Sequence, residues 1–184
     1  MAEGCGEYYA WGELYPKNNY SWSTYKWCKG SKNTLTKYCY DWYSGYNQYE
    51  DNRFSLESED DVASCHLGDF WRIPTRGEWY ELFENCSYAT TTINGIKGVK
   101  LTSTLSGYEN QWIFLPAAGF FEGVELIDTF CCSYWSSNLY PRSSPAHPES
   151  ADGLFYNCNS VYDSYNLTGY WRSSGMTVRP VYDD

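Results

Sequence analysis

The stretch Phe70-Trp71-Arg72-Ile73-Pro74-Thr75-Arg76-Gly77-Glu78-Trp79 decides the fold of this chain of 184 residues. Thr75 and Glu78 have the spacing of a capping box, in which each side chain accepts a hydrogen bond from the other residue's backbone amide. Pro74 prevents the helix from starting earlier. After the cap, apolar side chains recur at helical spacing, at Trp79, Leu82, Phe83 and Cys86. The sequence therefore predicts an amphipathic helix over 75–86 whose wide aromatic face must be covered.

The chain is acidic and unusually rich in aromatic residues. Its 20 Tyr and 9 Trp can bury large areas while keeping a polar group to satisfy, and tyrosine is also typical of binding surfaces. The net charge of −10 argues against nucleic-acid binding, which needs a basic face. No apolar run is long enough to cross a membrane. Residues 1–4 lack the pattern of a signal peptide, although the chain could be a trimmed piece of an exported protein.

The eight cysteines allow two interpretations. They could form a disulfide framework, but a chain of this length does not need cross-links, and Cys131 and Cys132 are adjacent. We favour free, mostly buried thiols. No cysteine and histidine spacing typical of a zinc site occurs, and we expect neither a metal nor a cofactor.

The acidic residues of 57–61 have two possible roles. They could bind calcium, but they lack the alternating oxygen ligands and the central glycine of a calcium loop. They stand where a helix begins, and Gly68 stands where it would end, so we favour helix capping and predict a helix over 58–67.

The rest of the chain alternates between strand patterns and loops. Residues 14–52 show no sustained period and are expected to form an irregular insertion held by aromatic side chains. Asn94-Gly95 predicts a two-residue hairpin turn. Further strands are expected at 6–13, 112–116, 133–137, 154–158 and 176–181. The predicted core includes Trp71, Trp79, Trp112 and Trp135.

Three segments carry a resemblance to a known fold family: Arg72-x-Pro74-Thr75-x-x-Glu78-Trp79, Phe114-Leu115-Pro116-Ala117-Ala118-Gly119, and the strand at 6–13. Together they resemble the C-type-lectin-like domains related to the formylglycine-generating enzymes, over most of 6–13 and 54–183. The resemblance implies one α+β domain over 1–184, loop-rich, with two helices around twisted antiparallel strands. It also implies that 8–11 pairs with 177–181. The residues expected to be structural are Trp71, Thr75, Glu78, Trp79, Trp135, Gly175, Arg179 and Pro180.

Residues 152–174 have the composition of a binding surface. Tyr, Ser, Asn, Asp and Gly dominate this stretch, while Lys, Glu, Gln and Met are absent. A polar loop plugged by aromatic side chains is the alternative interpretation. The expected ligand-binding residues are Asp152, Phe155, Tyr156, Tyr162, Asp163, Ser164, Tyr165, Asn166, Tyr170, Trp171, Arg172, Ser173 and Ser174, of which Tyr156, Tyr162, Asp163, Tyr165, Asn166, Tyr170, Arg172 and Ser173 are expected to share one exposed face.

The flanks of this stretch resemble the variable proteins of diversity-generating retroelements, through Tyr134-Trp135-Ser136-Ser137 before it and Gly175-Met176-Thr177-Val178-Arg179-Pro180-Val181 after it. In that family, adenines of a template are randomised before the copy replaces a C-terminal coding segment. An Asn codon treated in this way cannot yield Lys, Glu, Gln, Met or Trp, and only Trp171 departs from that set. The resemblance implies a hypervariable region over 134–175 that binds a protein ligand. The chain would then be exposed on a cell surface or virion, attached to a larger surface or virion protein.

There are two alternatives to a ligand-binding function, an enzyme and a structural module. Formylglycine-generating enzymes share the helix signature and oxidise a cysteine with copper held by two cysteines near the C-terminal end. Here Cys158 is the thiol nearest the last strand, and Cys131-Cys132 do not stand at the positions of the copper-binding cysteines in that family. No catalytic triad is evident either, so we do not expect an enzyme. The other alternative is a structural module of a bacterial surface or phage assembly. Calcium-dependent sugar binding is not expected, because its Glu-Pro-Asn and Trp-Asn-Asp motifs are absent.

Overall fold

The computed structural model describes residues 4–140, 147–160 and 164–183. In these ranges the chain is α+β and mostly β. The helices are α1 (Val62–Leu67) and α2 (Arg76–Glu84). The strands are β1 (Trp71–Arg72), β2 (Cys86–Ile93), β3 (Ile96–Ser103), β4 (Trp112–Pro116), β5 (Phe120–Glu122), β6 (Glu125–Ile127), β7 (Cys131–Leu139), β8 (Ser150–Asn157), β9 (Tyr165–Trp171) and β10 (Val181–Tyr182).

The strands form four antiparallel sheets within the described ranges. Their orders are β1-β10, β2-β3-β4, β5-β6 and β7-β8-β9. The hairpin predicted at Asn94-Gly95 is confirmed: Ile93 pairs with Ile96, and the two turn residues have φ values of 51° and 82°. Positive φ at both positions is the requirement of the tight turn that matches strand twist.

The capping box that starts α2 is confirmed. The Glu78 amide donates to Thr75 Oγ1 at 3.2 Å, and the Thr75 amide donates to Glu78 Oε2 at 2.7 Å. The helix ends at Glu84 rather than at the predicted residue 86, because Cys86 begins β2. The buried side chains of the helix include Trp79, whose indole N–H donates to the backbone oxygen of Trp135 at 3.3 Å. The predicted aromatic face is therefore covered by β7.

The predicted acidic start of α1 is also confirmed, four residues later than expected. Asp61 caps the helix by accepting from the amides of Ala63 and Ser64, and Gly68 follows its last residue. The predicted first turn at 58–60 is a separate 3₁₀ helix. Asp61 also accepts from the amide of Ile73 at 2.8 Å, which ties the start of α1 to the segment that leads into α2.

The core contains three clusters of buried side chains. One surrounds Trp11 and Trp135, a second lies between α2 and the strands β3, β4 and β7–β9, and a third lies mainly in the insertion. The prediction that Trp112 is core is wrong, since 47% of its side chain is exposed. Leu101 pairs with Ile113 on the buried face, so Trp112, one position earlier, lies on the opposite face. Trp71 is only partly buried.

The insertion over 14–52 contains one 3₁₀ helix, Tyr46–Gln48, and isolated bridges but no extended strand. Its interior is nevertheless well packed: Leu35, Tyr38 and Cys39 are completely buried. The adjacent cluster includes Ala10 from the N-terminal segment. Side-chain packing therefore holds this segment in place of a strand ladder.

The predicted pairing of 8–11 with 177–181 is wrong for most of its length. Tyr9 forms a single bridge to Met176, while Thr177 pairs with Tyr134 and Val181 pairs with Arg72. Residues 176–181 thus form bridges to three separate parts of the chain instead of to one strand. Among the described residues, no helix has the length and apolar character needed to cross a membrane.

Candidate ligand-binding site

The hairpin of β8 and β9 holds most of the expected ligand-binding residues. β8 lies between β7 and β9, and β9 is the edge strand of this sheet. β9 was not predicted from the sequence, because its Tyr, Asn, Thr and Gly residues resemble a loop when no partner strand is known. Pairing is regular, with Phe155 opposite Asn166 and Tyr156 opposite Tyr165. Neighbouring residues along each strand therefore face opposite sides of the sheet.

The side of the β8–β9 hairpin that faces α2 packs against this helix and anchors the hairpin to it. Tyr156 is completely buried, and the Tyr165 ring stacks on Phe83 with centroids 4.2 Å apart. The Tyr165 hydroxyl donates to Glu84 Oε1 at 3.0 Å. Burial together with this carboxylate raises the pKa of Tyr165 to about 12, so the hydroxyl keeps its proton at neutral pH.

Asp152 extends the same anchor to the start of α2. Its carboxylate is completely buried and accepts from Arg76 Nη1. Burial raises the pKa of Asp152, and the Arg76 guanidinium acts in the opposite direction. Arg76 also donates to the Tyr80 hydroxyl at 3.1 Å. This ion pair holds β8 against α2 and leaves Asp152 out of reach of a ligand.

The opposite side of the hairpin is more open. Phe155 is partly exposed and its cross-strand partner Asn166 is exposed. Tyr170 is half-buried, because its ring packs edge-on against Phe120 at 5.1 Å and Trp135 at 6.3 Å. At the end of β9, 48% of the Trp171 side chain is exposed.

Arg172 is a buried structural residue and not an exposed contact. Its guanidinium donates to the backbone oxygens of Lys37, Tyr38 and Pro148 at 2.9 to 3.0 Å, and Nε donates to the Tyr25 hydroxyl at 3.0 Å. The same group lies 5.3 Å from the Trp11 ring centroid. Because the donors of this guanidinium are directed at groups on three segments, Arg172 fastens the insertion to the C-terminal part of the chain.

The expected single exposed face is therefore wrong for Tyr156, Arg172 and Ser173. Tyr156 faces α2, and after Trp171 the chain turns inward, which buries Arg172 and Ser173 and also Ser174. Tyr162 and Asp163 lie outside the described residues. The remaining expected residues are exposed or partly exposed: Phe155, Ser164, Tyr165, Asn166, Tyr170 and Trp171. Tyr165 nevertheless faces α2, on the side opposite to Asn166 and Tyr170, so it too lies off the expected face.

A recess on the other side of α2 was not predicted from the sequence. Its volume is about 600 Å³, and it lies between α2, the strands β3 and β4, and residues 179–181. Arg179 and Pro180, expected to be structural, line this recess, and Arg179 is exposed. The sequence carries no local signal for this recess, because its lining residues come from 74–86, 101–113 and 179–181.

Two of the cysteines lie in contact in the core. All eight cysteines are thiols, with no disulfide among them. Cys132 and Cys158 are buried with their sulfurs 3.6 Å apart, and the hydrogen bond between them and burial raise the pKa of Cys132. A raised pKa opposes the thiolate form that metal binding and nucleophilic attack require.

The acidic residues before α1 are compensated by a lysine. Lys37 Nζ lies 2.6 Å from Glu57, 3.0 Å from Glu59 and 2.6 Å from Asp60. These are the residues whose carboxylates converge closely enough to hold a cation. The ammonium group already supplies the positive charge there, so ion pairing accounts for these three carboxylates, while the neighbouring Asp61 caps α1.

Comparison with known proteins supplies no relative for this chain or for the hairpin and recess described above. No family model matches the sequence, and neither the curated proteins nor the solved structures contain a significant match to it.

Proposed function

We propose that this chain is a non-catalytic ligand-binding protein with a C-type-lectin-like scaffold, similar to the variable proteins of diversity-generating retroelements. It would present part of the 134–175 region to a protein ligand while exposed on a cell surface or virion. The observation that carries the proposal is the division of the side chains of the β8–β9 hairpin between buried and accessible positions. Anchors such as Tyr156 and Asp152 are buried, whereas residues typical of binding surfaces remain accessible between them.

The binding face in this proposal follows the edge strand β9. It consists of the exposed Ser164 and Asn166 with the partly exposed Phe155, and of the exposed Trp171 at the end of β9. Seven residues of strand extend roughly 20 Å, which is enough for contact with a folded protein. Trp supplies contact area at low cost in side-chain entropy, while Asn and Ser supply adaptable hydrogen bonds. The rigid sheet beneath keeps these groups in place when individual side chains change.

Sequencing the genomic locus tests the diversification part of this proposal. We expect a nearby repeat that differs from the 152–174 coding region only at adenines, beside a reverse transcriptase gene. The differences should fall on codons of exposed residues such as Asn166, and the codons of Tyr156 and Arg172 should be spared. A locus without such a repeat would refute diversification and leave an ordinary surface module.

A display experiment tests the binding face independently of the locus. One library randomises Ser164, Asn166 and Trp171, and a control library of equal size randomises the buried Tyr156 and Arg172. Selection against a purified folded protein should yield binders from the first library and few folded members from the second. If both libraries fold and bind equally well, the assignment of anchors and contacts is wrong.

A further inference from the structure

The recess beside α2 is separate from the hairpin face. None of the residues that line it belongs to 152–174. Its interior is mainly apolar, with Trp79 and Leu101 buried and Leu82 and Ile113 partly buried. Its volume of about 600 Å³ falls within the range of small-molecule sites. Leu105 on the rim is 50% exposed, so apolar surface continues to the mouth.

The charges around the recess are unequally compensated. Glu78 lines it but receives two hydrogen bonds from Arg72, at 2.7 and 2.5 Å. By contrast, no described residue forms an ion pair or a side-chain hydrogen bond with the exposed guanidinium of Arg179. Glu81 is exposed on α2 and lines the recess without pairing with Arg179. Within the described part of the chain, one guanidinium and one carboxylate without an ion pair therefore border an apolar interior.

We propose that this recess binds a small apolar carboxylic acid, with its hydrocarbon or aromatic body against Leu82, Leu101 and Ile113 and its carboxylate on Arg179. A guanidinium matches a carboxylate because two parallel N–H donors meet two oxygens. The apolar surroundings strengthen the pair by lowering the local dielectric. Glu81 repels a carboxylate, and this repulsion directs the acid group toward residue 179 instead of toward α2.

Matched pairs of an acid and its amide test this proposal, because each pair differs only in charge. We would titrate octanoate against octanamide and 3-phenylpropionate against 3-phenylpropanamide, and follow the intrinsic tryptophan fluorescence, to which Trp79 in the recess contributes. For at least one pair, the acid should bind about tenfold more tightly than the amide, which corresponds to about 1.4 kcal/mol. Arg179→Gln should remove this preference and leave the amide unchanged. Arg53→Gln, which deletes an exposed cation elsewhere, should retain it.

Two further variants separate the apolar and the charged contributions. Leu105→Asp at the exposed rim should weaken both the acid and the amide, while Glu81→Gln should strengthen the acid alone. Thermal melts of each variant confirm that it is folded. The proposal is overturned if no pair binds, if acid and amide bind equally, or if the preference for the acid survives in folded Arg179→Gln.

Discussion

Arg172 shows that composition cannot distinguish a buried structural residue from an exposed ligand contact. It stands among Tyr, Ser and Asn residues and directly after the exposed Trp171, so sequence reasoning placed it in a binding surface. In the structure its donors are directed at the backbone oxygens of Lys37, Tyr38 and Pro148. The partners lie up to 135 residues away in sequence, and no local pattern records them.

Removing the Arg172 side chain should destabilise the fold. Arg172→Ala leaves three buried carbonyls without their donors, so we expect a loss of about 3 kcal/mol or more in the free energy of unfolding. Trp171→Ala is the control, and because about half of this side chain is already exposed, it should cost clearly less than Arg172→Ala. Urea melts measure both. Equal stability of the two variants would mean that the guanidinium does not fasten the insertion.

The pKa of Glu78 leads to the prediction that the stability of the protein depends on pH in the acidic range. The hydrogen bonds from Arg72, aided by the Thr75 cap, lower the pKa of Glu78 from its ordinary value of 4.5 to about 2. A folded-state pKa below the unfolded value stabilises the fold above pH 4.5, and this contribution disappears as the pH falls toward 2. Glu78→Gln should therefore be less stable than the natural chain at pH 6, and the difference should shrink by pH 2.5. Urea melts across this range provide the measurement, and a constant difference would contradict the linkage.

Among the helices and strands, the sequence predicted the features that depend on interactions between residues close together in the chain. The capping box of α2 and the Asn94-Gly95 turn depend on residues within a few positions, and both are present where the sequence placed them. β9 was missed because its identity as a strand depends on pairing with β8, which a local pattern does not contain. Trp112 was misplaced because hydrophobicity gives no information about which face of β4 is covered.

The packing of α2 and β4 leads to a graded series of stability losses. Trp79 is buried between α2 and β7, so Trp79→Ala should cost about 3–5 kcal/mol. Thr75→Ala removes the cap and should cost about 1 kcal/mol. Trp112→Ala removes a ring of similar size that is half exposed, and it should cost clearly less than Trp79→Ala. Denaturant melts test the order, and equal losses for the two tryptophans would contradict the assignment of their faces.

For the whole molecule, the insertion is fastened at two places by residues of the C-terminal segment. Arg172 reaches Lys37 and Tyr38, and Gly175 exchanges two backbone hydrogen bonds with Phe121 beside the ring of Tyr20. The sequence predicted an irregular insertion but not these attachments, the first of which joins residues 134 and 135 positions apart. The proposed binding hairpin directly precedes both attachments, so its support depends on the insertion being in place.

Gly175→Ala tests the second attachment. A Cβ at this position would lie 2.6 Å from the Tyr20 ring, closer than real contacts allow, so Tyr20 must move. We expect a loss of about 1–3 kcal/mol from overpacking. Hydrogen exchange should accelerate at the Tyr20 amide, which donates to the Gly123 oxygen, and stay unchanged in β2 and β3.

Gly77→Ala is the matched control for this substitution. The nearest atom to its Cβ is 3.8 Å away and the residue lies in α2, so alanine should stabilise the protein by up to about 1 kcal/mol. If Gly175→Ala behaves like Gly77→Ala, the Tyr20 ring has room to spare and does not fasten the insertion. If exchange accelerates equally in β2 and β3, the substitution acts on the whole fold instead of on this attachment.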